Sequence, residues 1–149
     1  MIQYPLVFRV ASTASSPISE SWTSQFLPDA GTPVSATVAI PPEFDGPGGG
    51  YSPEDFYALA LLNCFVATFK VIAEKSRITY KKLEAEGSLT VDRGEGGAPW
   101  MSAFHLKVRL TGASQADRAL HLLEKTSQSC LILNSVKTLK TFEFELVSE

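Results

Sequence analysis

Two cysteines, Cys64 and Cys130, are the residues of this 149-residue chain whose types and positions most readily suggest chemistry. Cys64 lies in an apolar stretch beside Leu62 and Phe65, whereas Cys130 follows the polar run at residues 127–129. A free cysteine in apolar surroundings commonly fills a core, but a shielded thiol with a second thiol nearby can carry out redox chemistry. The residues alone leave both interpretations of Cys64 open.

The other residues that could carry chemistry give weak patterns. His105 and His121 have no second ligand at metal-binding spacing, so the sequence does not favour a zinc site. The chain lacks a Gly-x-Ser-x-Gly elbow, which leaves a serine hydrolase without support. The glycines at 46–50 are not followed by the Gly-Lys-Ser/Thr of a P-loop, and Glu54 and Asp55 would repel an anion at the start of the next helix. We therefore expect neither a metal nor a nucleotide cofactor.

Composition predicts one domain over residues 1–149, since the chain has an ordinary domain length and is 44% hydrophobic. The formal net charge is −3, and the 13 lysines and arginines form no cluster that would favour nucleic acid or an anionic membrane surface. The start of the chain, MIQYPLVFRV, does not have the pattern of a secretory signal, and no segment has the roughly 18 apolar residues of a membrane span. We expect a cytoplasmic protein whose two cysteines are kept reduced.

The first half of the chain predicts short strands followed by one long helix. Apolar and β-branched runs indicate strands at 4–11, 19–27 and 34–40, and the prolines and glycines of 41–50 predict a mobile loop without regular structure. Ser52, Pro53 and Asp55 then form a capping-box helix start, so a helix is expected from 53 to about 76. This helix has few polar residues and should be buried by a sheet or a second chain.

The second half predicts a hairpin, a second helix and a last strand. Alternating residues at 83–91 and 103–110 indicate the hairpin. Ser114 and Asp117 repeat the capping-box pattern before an amphipathic helix over 115–129. Residues 141–147 alternate as the final strand, and the order of the elements gives an α+β fold.

The sequence around both thiols resembles a known family. The segment FDGPGGGYSPEDFYALALLNCF, residues 44–65, ends just after Cys64, and CLILNS begins 66 positions after it, at Cys130. The helix start, both cysteines and the intervening hairpin are similar, in this order, to the OsmC/Ohr family of thiol-dependent proteins that detoxify hydroperoxides. The resemblance covers about residues 34–147, and the first 30 residues match less clearly.

This resemblance implies a fold and a mechanism. The fold would be an intertwined homodimer in which curved antiparallel sheets wrap around central helices, with the active sites at the subunit interface. Cys64 would be the peroxidatic thiol that attacks an organic hydroperoxide and becomes a sulfenic acid. Cys130 would be the resolving thiol that forms a disulfide with it, and a lipoyl-type dithiol would reduce that disulfide without a bound cofactor.

Glu54 matches the glutamate of the family motif, and helix geometry predicts how it is used. Ten residues advance about 15 Å along an ideal helix and turn the side chain some 80° out of line. Glu54 is therefore not expected to reach Cys64 of its own chain. If both serve one site, the glutamate comes from the other subunit.

A positive charge is also needed, because burial raises a thiol pKa and Cys64 lies too far along the helix for its dipole to help. The family supplies an arginine, but Pro42 and Glu43 occupy one of its positions here, and Leu131 replaces a proline found in many members. Arg9 is the candidate cation, with a strand arginine facing solvent as the alternative. A diverged, non-catalytic protein that binds a small ligand is the alternative function.

Overall fold

The computed structural model of the protein describes residues 2–148, and it divides between residues 56 and 57 into two compact units. The first unit contains a three-stranded antiparallel sheet in the order β1-β2-β3. Its strands are β1 (Val10–Thr13), β2 (Trp22–Phe26) and β3 (Val34–Val38). All three are shorter than predicted, and β1 overlaps the predicted 4–11 only at residues 10 and 11. Strand β2 begins late because Glu20 lies in a turn that is closed by its N–H bond to the Pro17 carbonyl.

The loop between β3 and the long helix is built differently from the prediction. The expectation of no regular structure over 41–50 is wrong, because Pro42–Phe44 form a 3-10 turn. Proline has the backbone φ that suits the first position of such a turn. At Gly46 an added Cβ would lie 2.0 Å from the Ile40 carbonyl oxygen, so only glycine fits this close approach.

Helix α1 runs from Pro53 to Lys75, one residue shorter than predicted. Its capping box is confirmed: the Ser52 N–H donates to the Asp55 carboxylate at 2.9 Å, and the Asp55 N–H donates to the Ser52 Oγ at 3.0 Å. The helix ends where Arg77 adopts a left-handed conformation with φ of 58°.

A second sheet in the second unit has the order β4-β5-β6. The predicted hairpin is confirmed, with β4 (Lys82–Arg93) antiparallel to β5 (Pro99–Thr111). The expectation of antiparallel sheets is wrong for β6 (Leu139–Val147), which pairs parallel to β5. The reason is that helix α2 (Ala116–Ser129) connects the two strands as a crossover, which returns the chain in the same direction.

Helix α2 has the predicted bounds within one residue, but its predicted capping box is wrong. The Ser114 Oγ accepts the Thr79 N–H at 3.1 Å, and the Ser114 N–H donates to the Thr79 carbonyl at 2.9 Å. The helix instead begins after Gln115, whose side chain makes no capping hydrogen bond. The Ser114 hydroxyl, which the local pattern predicted to cap the helix, instead bonds to Thr79, 35 positions earlier in the chain.

The core of the second unit lies between its sheet and one stripe of α1. The stripe repeats every four residues, as one face of a helix does, and its buried members are Leu61, Phe65, Phe69 and Ala73. The Phe65 ring stacks against the rings of Phe142 and Phe144 on β6, with centroids 6.0 and 5.8 Å away. The strands thus bury α1 on this side only.

Other apolar residues of α1 remain exposed in the single chain, including Leu59 at 37% and Val71 at 53% of their surface. The helix has the length and composition of a membrane span, with a mean hydropathy of 1.8 over its most apolar 18 residues. The expectation that no segment reaches this level is therefore wrong. The buried stripe nevertheless packs α1 into a core, which gives its apolar character a structural reason.

Candidate active site

Cys64 lies near the middle of α1 and is half-buried. Its Sγ accepts a hydrogen bond from the backbone N–H of Ile132 at 3.3 Å. Ile132 belongs to the turn that follows α2, so the chain just beyond Cys130 lies against the Cys64 thiol. A donor at this position favours a sulfur that carries negative charge.

Cys130 ends α2 and is fully buried. Its S–H donates to the carbonyl of Thr126 at 3.1 Å. Burial raises the pKa of the Cys130 thiol to about 11, although a hydrogen bond with Thr68 acts in the opposite direction and the neighbouring Cys64 raises the pKa further. Cys130 is therefore held as a neutral thiol at pH 7.

The structure brings the two predicted thiols together. Cys64 is close enough to raise the pKa of Cys130, but the two sulfurs are not at disulfide distance and both cysteines are free thiols. Cys64 accepts a backbone N–H and has a second thiol in its neighbourhood, surroundings that differ from those of a cysteine that only fills a core.

Lys140 on β6 is a residue near this site that the sequence pattern did not single out. Its Nζ donates to the carbonyls of Leu133 and Val136 at 2.9 and 3.1 Å, in the segment between Cys130 and β6. A signal was present in the sequence, because position 140 is in phase with Phe142 and Phe144, which face the core. Because the predicted strand began at residue 141, the position of Lys140 on the core side was missed.

The other two predicted site residues, Glu54 and Arg9, belong to the first unit. Glu54 lies in the first turn of α1, and its Oε1 is buried without a hydrogen-bond partner among the described residues. An unpaired buried carboxylate oxygen is costly, so this atom has unused capacity to accept a hydrogen bond. Arg9 precedes β1 and is exposed, and its backbone carbonyl accepts the Leu27 N–H at 2.9 Å.

The hydrogen bonds that the structure describes for the two histidines involve neither thiol. The His105 Nδ1 hydrogen-bonds Thr141 at 2.6 Å, and its Nε2 lies 3.1 Å from the Glu143 carboxylate on the outer face of the sheet. His121 is an exposed residue of α2. Within residues 2–148, no group of three or more His, Cys, Asp or Glu side chains is arranged to hold a metal ion.

A groove of about 800 Å³ crosses the outer face of the second sheet. Its charged lining is paired across the strands: the Arg109 Nε donates to Glu145 at 3.1 Å, and the Lys107 Nζ lies 3.9 Å from Glu143. Ion pairs of this exposure are ordinary features of a solvated sheet face. The thiols are therefore the better candidate site of this unit.

Comparison with known proteins points to one family. Residues 46–145 match the family model described as OsmC-like protein. The uncharacterized protein YmaD of Bacillus subtilis is 30% identical over 105 residues, which cover 68% of this chain and 70% of that protein.

Solved structures agree in fold. An OsmC-like protein of unknown function from Vibrio cholerae superposes with a TM-score of 0.79 at 19% identity, covering 94% of this chain and 99% of that one. A Legionella pneumophila structure described as an organic hydroperoxide resistance protein OsmC gives a TM-score of 0.68 at 12% identity, covering 97% of this chain and 99% of that one. At these identities the similarity establishes the fold alone.

Proposed function

The chain belongs to the OsmC-like protein family, and on this premise we propose that it is a thiol peroxidase that reduces organic hydroperoxides in oxidative-stress defence. One observation carries the proposal: the Cys64 sulfur accepts the Ile132 N–H, and Cys64 is close enough to the second thiol, Cys130, to raise its pKa. A thiol that is shielded, supplied with a donor and paired with a second thiol has the surroundings that two-cysteine peroxide reduction requires.

In the first step the Cys64 thiolate attacks one oxygen of the hydroperoxide. The O–O bond breaks, the departing alkoxide takes a proton and leaves as an alcohol, and Cys64 becomes a sulfenic acid. Cys130 then attacks the Cys64 sulfur as a thiolate, hydroxide leaves as water after protonation, and a disulfide forms. A lipoyl-type dithiol reduces this disulfide through a mixed disulfide and is itself oxidised to a disulfide.

Apolar side chains next to the thiols support an organic substrate. Leu131 is 76% exposed and Ile132 is 39% exposed, directly after Cys130. Contact with an alkyl or aryl group would remove this surface from water, which is favourable in proportion to the apolar area buried. Hydrogen peroxide offers no such group, so organic hydroperoxides should be the better substrates.

We also propose that the protein acts in the cytoplasm as a homodimer of single OsmC-like domains. The exposed apolar residues of α1, such as Leu59 and Val71, provide surface for a second copy to cover. The unpaired Oε1 of Glu54 is available to a site formed with that copy. Arg9 remains the candidate for the cation that stabilises the thiolate.

The test is the oxidation of the reduced protein by one equivalent of cumene hydroperoxide, followed by intact-mass spectrometry. The proposal expects the loss of two hydrogens per chain through a Cys64–Cys130 disulfide. Cys64→Ser should abolish peroxide consumption, whereas Cys130→Ser should stop at a sulfenic acid that dimedone traps. Ser129→Ala is the matched control, because this exposed neighbour of Cys130 should leave both steps intact. Two free thiols after peroxide treatment would refute the proposal.

A non-catalytic ligand-binding protein is the second candidate, and a specific observation favours it. Pro42 and Glu43 stand where one branch of the family has its arginine, and Arg9 is exposed. A thiolate without a cation near it lacks one of the interactions that activate reactive cysteines. A Cys64 pKa well above neutrality, no peroxide consumption and saturable binding of a small apolar ligand would establish this alternative.

A further inference from the structure

We propose that Lys140 is a positioning residue for Cys64: it fixes the turn after Cys130 so that the Ile132 N–H stays directed at the Cys64 sulfur and favours the thiolate. The inference rests on the proposed function in one respect, namely that Cys64 reacts as a thiolate. The cation that favours the Cys64 thiolate, through this turn, would then be Lys140 of the second unit, whereas the sequence offered only Arg9 as a candidate.

The turn, residues 130–136, is held by its own hydrogen bonds. The Asn134 N–H donates to the Cys130 carbonyl at 2.9 Å, and the Ser135 N–H donates to the Ile132 carbonyl at 3.0 Å. The Ile132 N–H is directed out of this set of bonds and reaches the Cys64 sulfur. The turn therefore presents one backbone donor to the thiol.

Lys140 adds two bonds that tie this turn to β6. It is a part-buried ammonium group that donates to the Leu133 and Val136 carbonyls, which lie on either side of Asn134 and Ser135. A lysine is unusual at this position of the strand. Residues of β6 alternate between the two faces of the sheet, and Lys140 lies in phase with the buried side while apolar Leu139 is 69% exposed. Burying an ammonium costs free energy unless it is paired, so its two carbonyl partners explain how it is tolerated here.

The same contacts favour the charged form of Cys64. A hydrogen bond to a thiolate is stronger than one to a thiol, so a fixed N–H stabilises the anion selectively. The charged group that reaches this turn from β6 is Lys140, whose two bonds hold the turn that carries the Ile132 N–H. The titratable group that faces Cys64 from α2 is Cys130, which stays neutral while its S–H is donated to Thr126.

The test is the pH dependence of Cys64 alkylation by iodoacetamide in a Cys130→Ser background, so that a single thiol reacts. Lys140→Met should raise the midpoint by about one pH unit and slow alkylation about tenfold at neutral pH. Lys140→Arg, which keeps the charge and the donors, should restore the midpoint. Lys137→Met removes an exposed lysine of the same segment and is the matched control, which should leave the midpoint unchanged.

Thermal unfolding of each variant identifies those that fold. If Lys140→Met does not fold, Lys140→Gln replaces it; its shorter side chain should lose at least one of the two bonds to the turn and move the midpoint in the same direction. An unchanged midpoint in a folded, uncharged variant would overturn the inference, as would an equal shift in Lys137→Met. A shifted midpoint in a protein that consumes no hydroperoxide would refute the proposed function but support the role of Lys140.

Discussion

Protonation of Cys130 should limit the rate at which the Cys64–Cys130 disulfide forms. The S–H of Cys130 is donated to the Thr126 carbonyl inside the core, and burial raises the pKa of Cys130 to about 11. Because only a thiolate attacks a sulfenic acid efficiently, the resolving step must wait for the small ionised fraction. The sulfenic acid on Cys64 should therefore accumulate before the disulfide appears.

The size of this effect follows from the pKa. At pH 7 a thiol with a pKa of about 11 is ionised in roughly one molecule in ten thousand, against about one in a hundred for an unburied thiol with a pKa of 9.0. A thiolate of higher pKa is also about tenfold more nucleophilic over these two pKa units, so disulfide formation should be about tenfold slower than for an unburied thiol in the same place. Its rate should rise about tenfold for each pH unit from 7 towards 10, as far as the protein stays folded.

The assay mixes reduced protein with one equivalent of cumene hydroperoxide and stops the reaction with dimedone at intervals. Mass spectrometry then gives the sulfenic acid and disulfide fractions at each pH. Thr68→Val should slow the resolving step severalfold, because the Thr68 hydrogen bond lowers the pKa of Cys130. Thr90→Val, at an exposed position of β4, is the control. A disulfide rate that is flat from pH 7 to 9, or faster in Thr68→Val, would refute this reasoning.

Two predictions concern stability. Gly87→Ala should lower the free energy of unfolding in urea by about 1–3 kcal/mol, because the added Cβ would lie 2.5 Å from the Phe104 ring. Ser88→Ala, at an exposed neighbouring position, is the control and should change this free energy little. Equal losses in both variants would contradict the close contact. Since the folded state raises the pKa of Cys130 from 9.0 to about 11, the stability that the neutral thiol contributes is complete below pH 9 and is lost, by about 3 kcal/mol at most, as the pH rises to 11. Cys130→Ala should flatten this loss in denaturation curves measured between pH 9 and 11, and an equally steep loss in the variant would contradict it.

Local signals predicted those elements that local interactions determine. The capping box of Ser52 and Asp55 formed as predicted, because both partners lie within one helical turn. The Ser114 pattern had the same form and failed, because Thr79, 35 positions earlier, takes its hydroxyl. A local motif cannot reveal a distant competitor, and that competitor decided the outcome here.

The direction of β6 follows from its connection rather than from its own residues. A strand that follows another through a helical crossover runs parallel to it, whereas the family resemblance had suggested antiparallel sheets throughout. Periodicity correctly predicted a strand over 141–147, yet periodicity carries no information on direction. Because the predicted strand began at residue 141, Lys140 was not recognised as a residue on the core side of β6, and a cation near the candidate site was missed.

The proximity of the thiols could not come from their spacing, since 66 positions of chain allow almost any separation. It depends on how α1 packs beside the end of α2, which only the folded unit defines. The proposed roles depended on the resemblance, whereas the structure provides an independent physical argument. The end of α2 offers the Thr126 carbonyl to Cys130, and the turn that follows donates the Ile132 N–H to Cys64.

A donor and an acceptor have opposite effects on a thiol. The N–H at Cys64 favours the thiolate, and the carbonyl at Cys130 favours the protonated form. Of two neighbouring thiols in such opposite surroundings, the one that receives the donor is the better first nucleophile, whatever the family. Exchanging the roles would require Cys130 to lose its bond to Thr126 and ionise in the core before any peroxide was reduced. This polarity favours Cys64 as the attacking thiol of the proposed mechanism, in which the ionisation of Cys130 would be the step that pH controls.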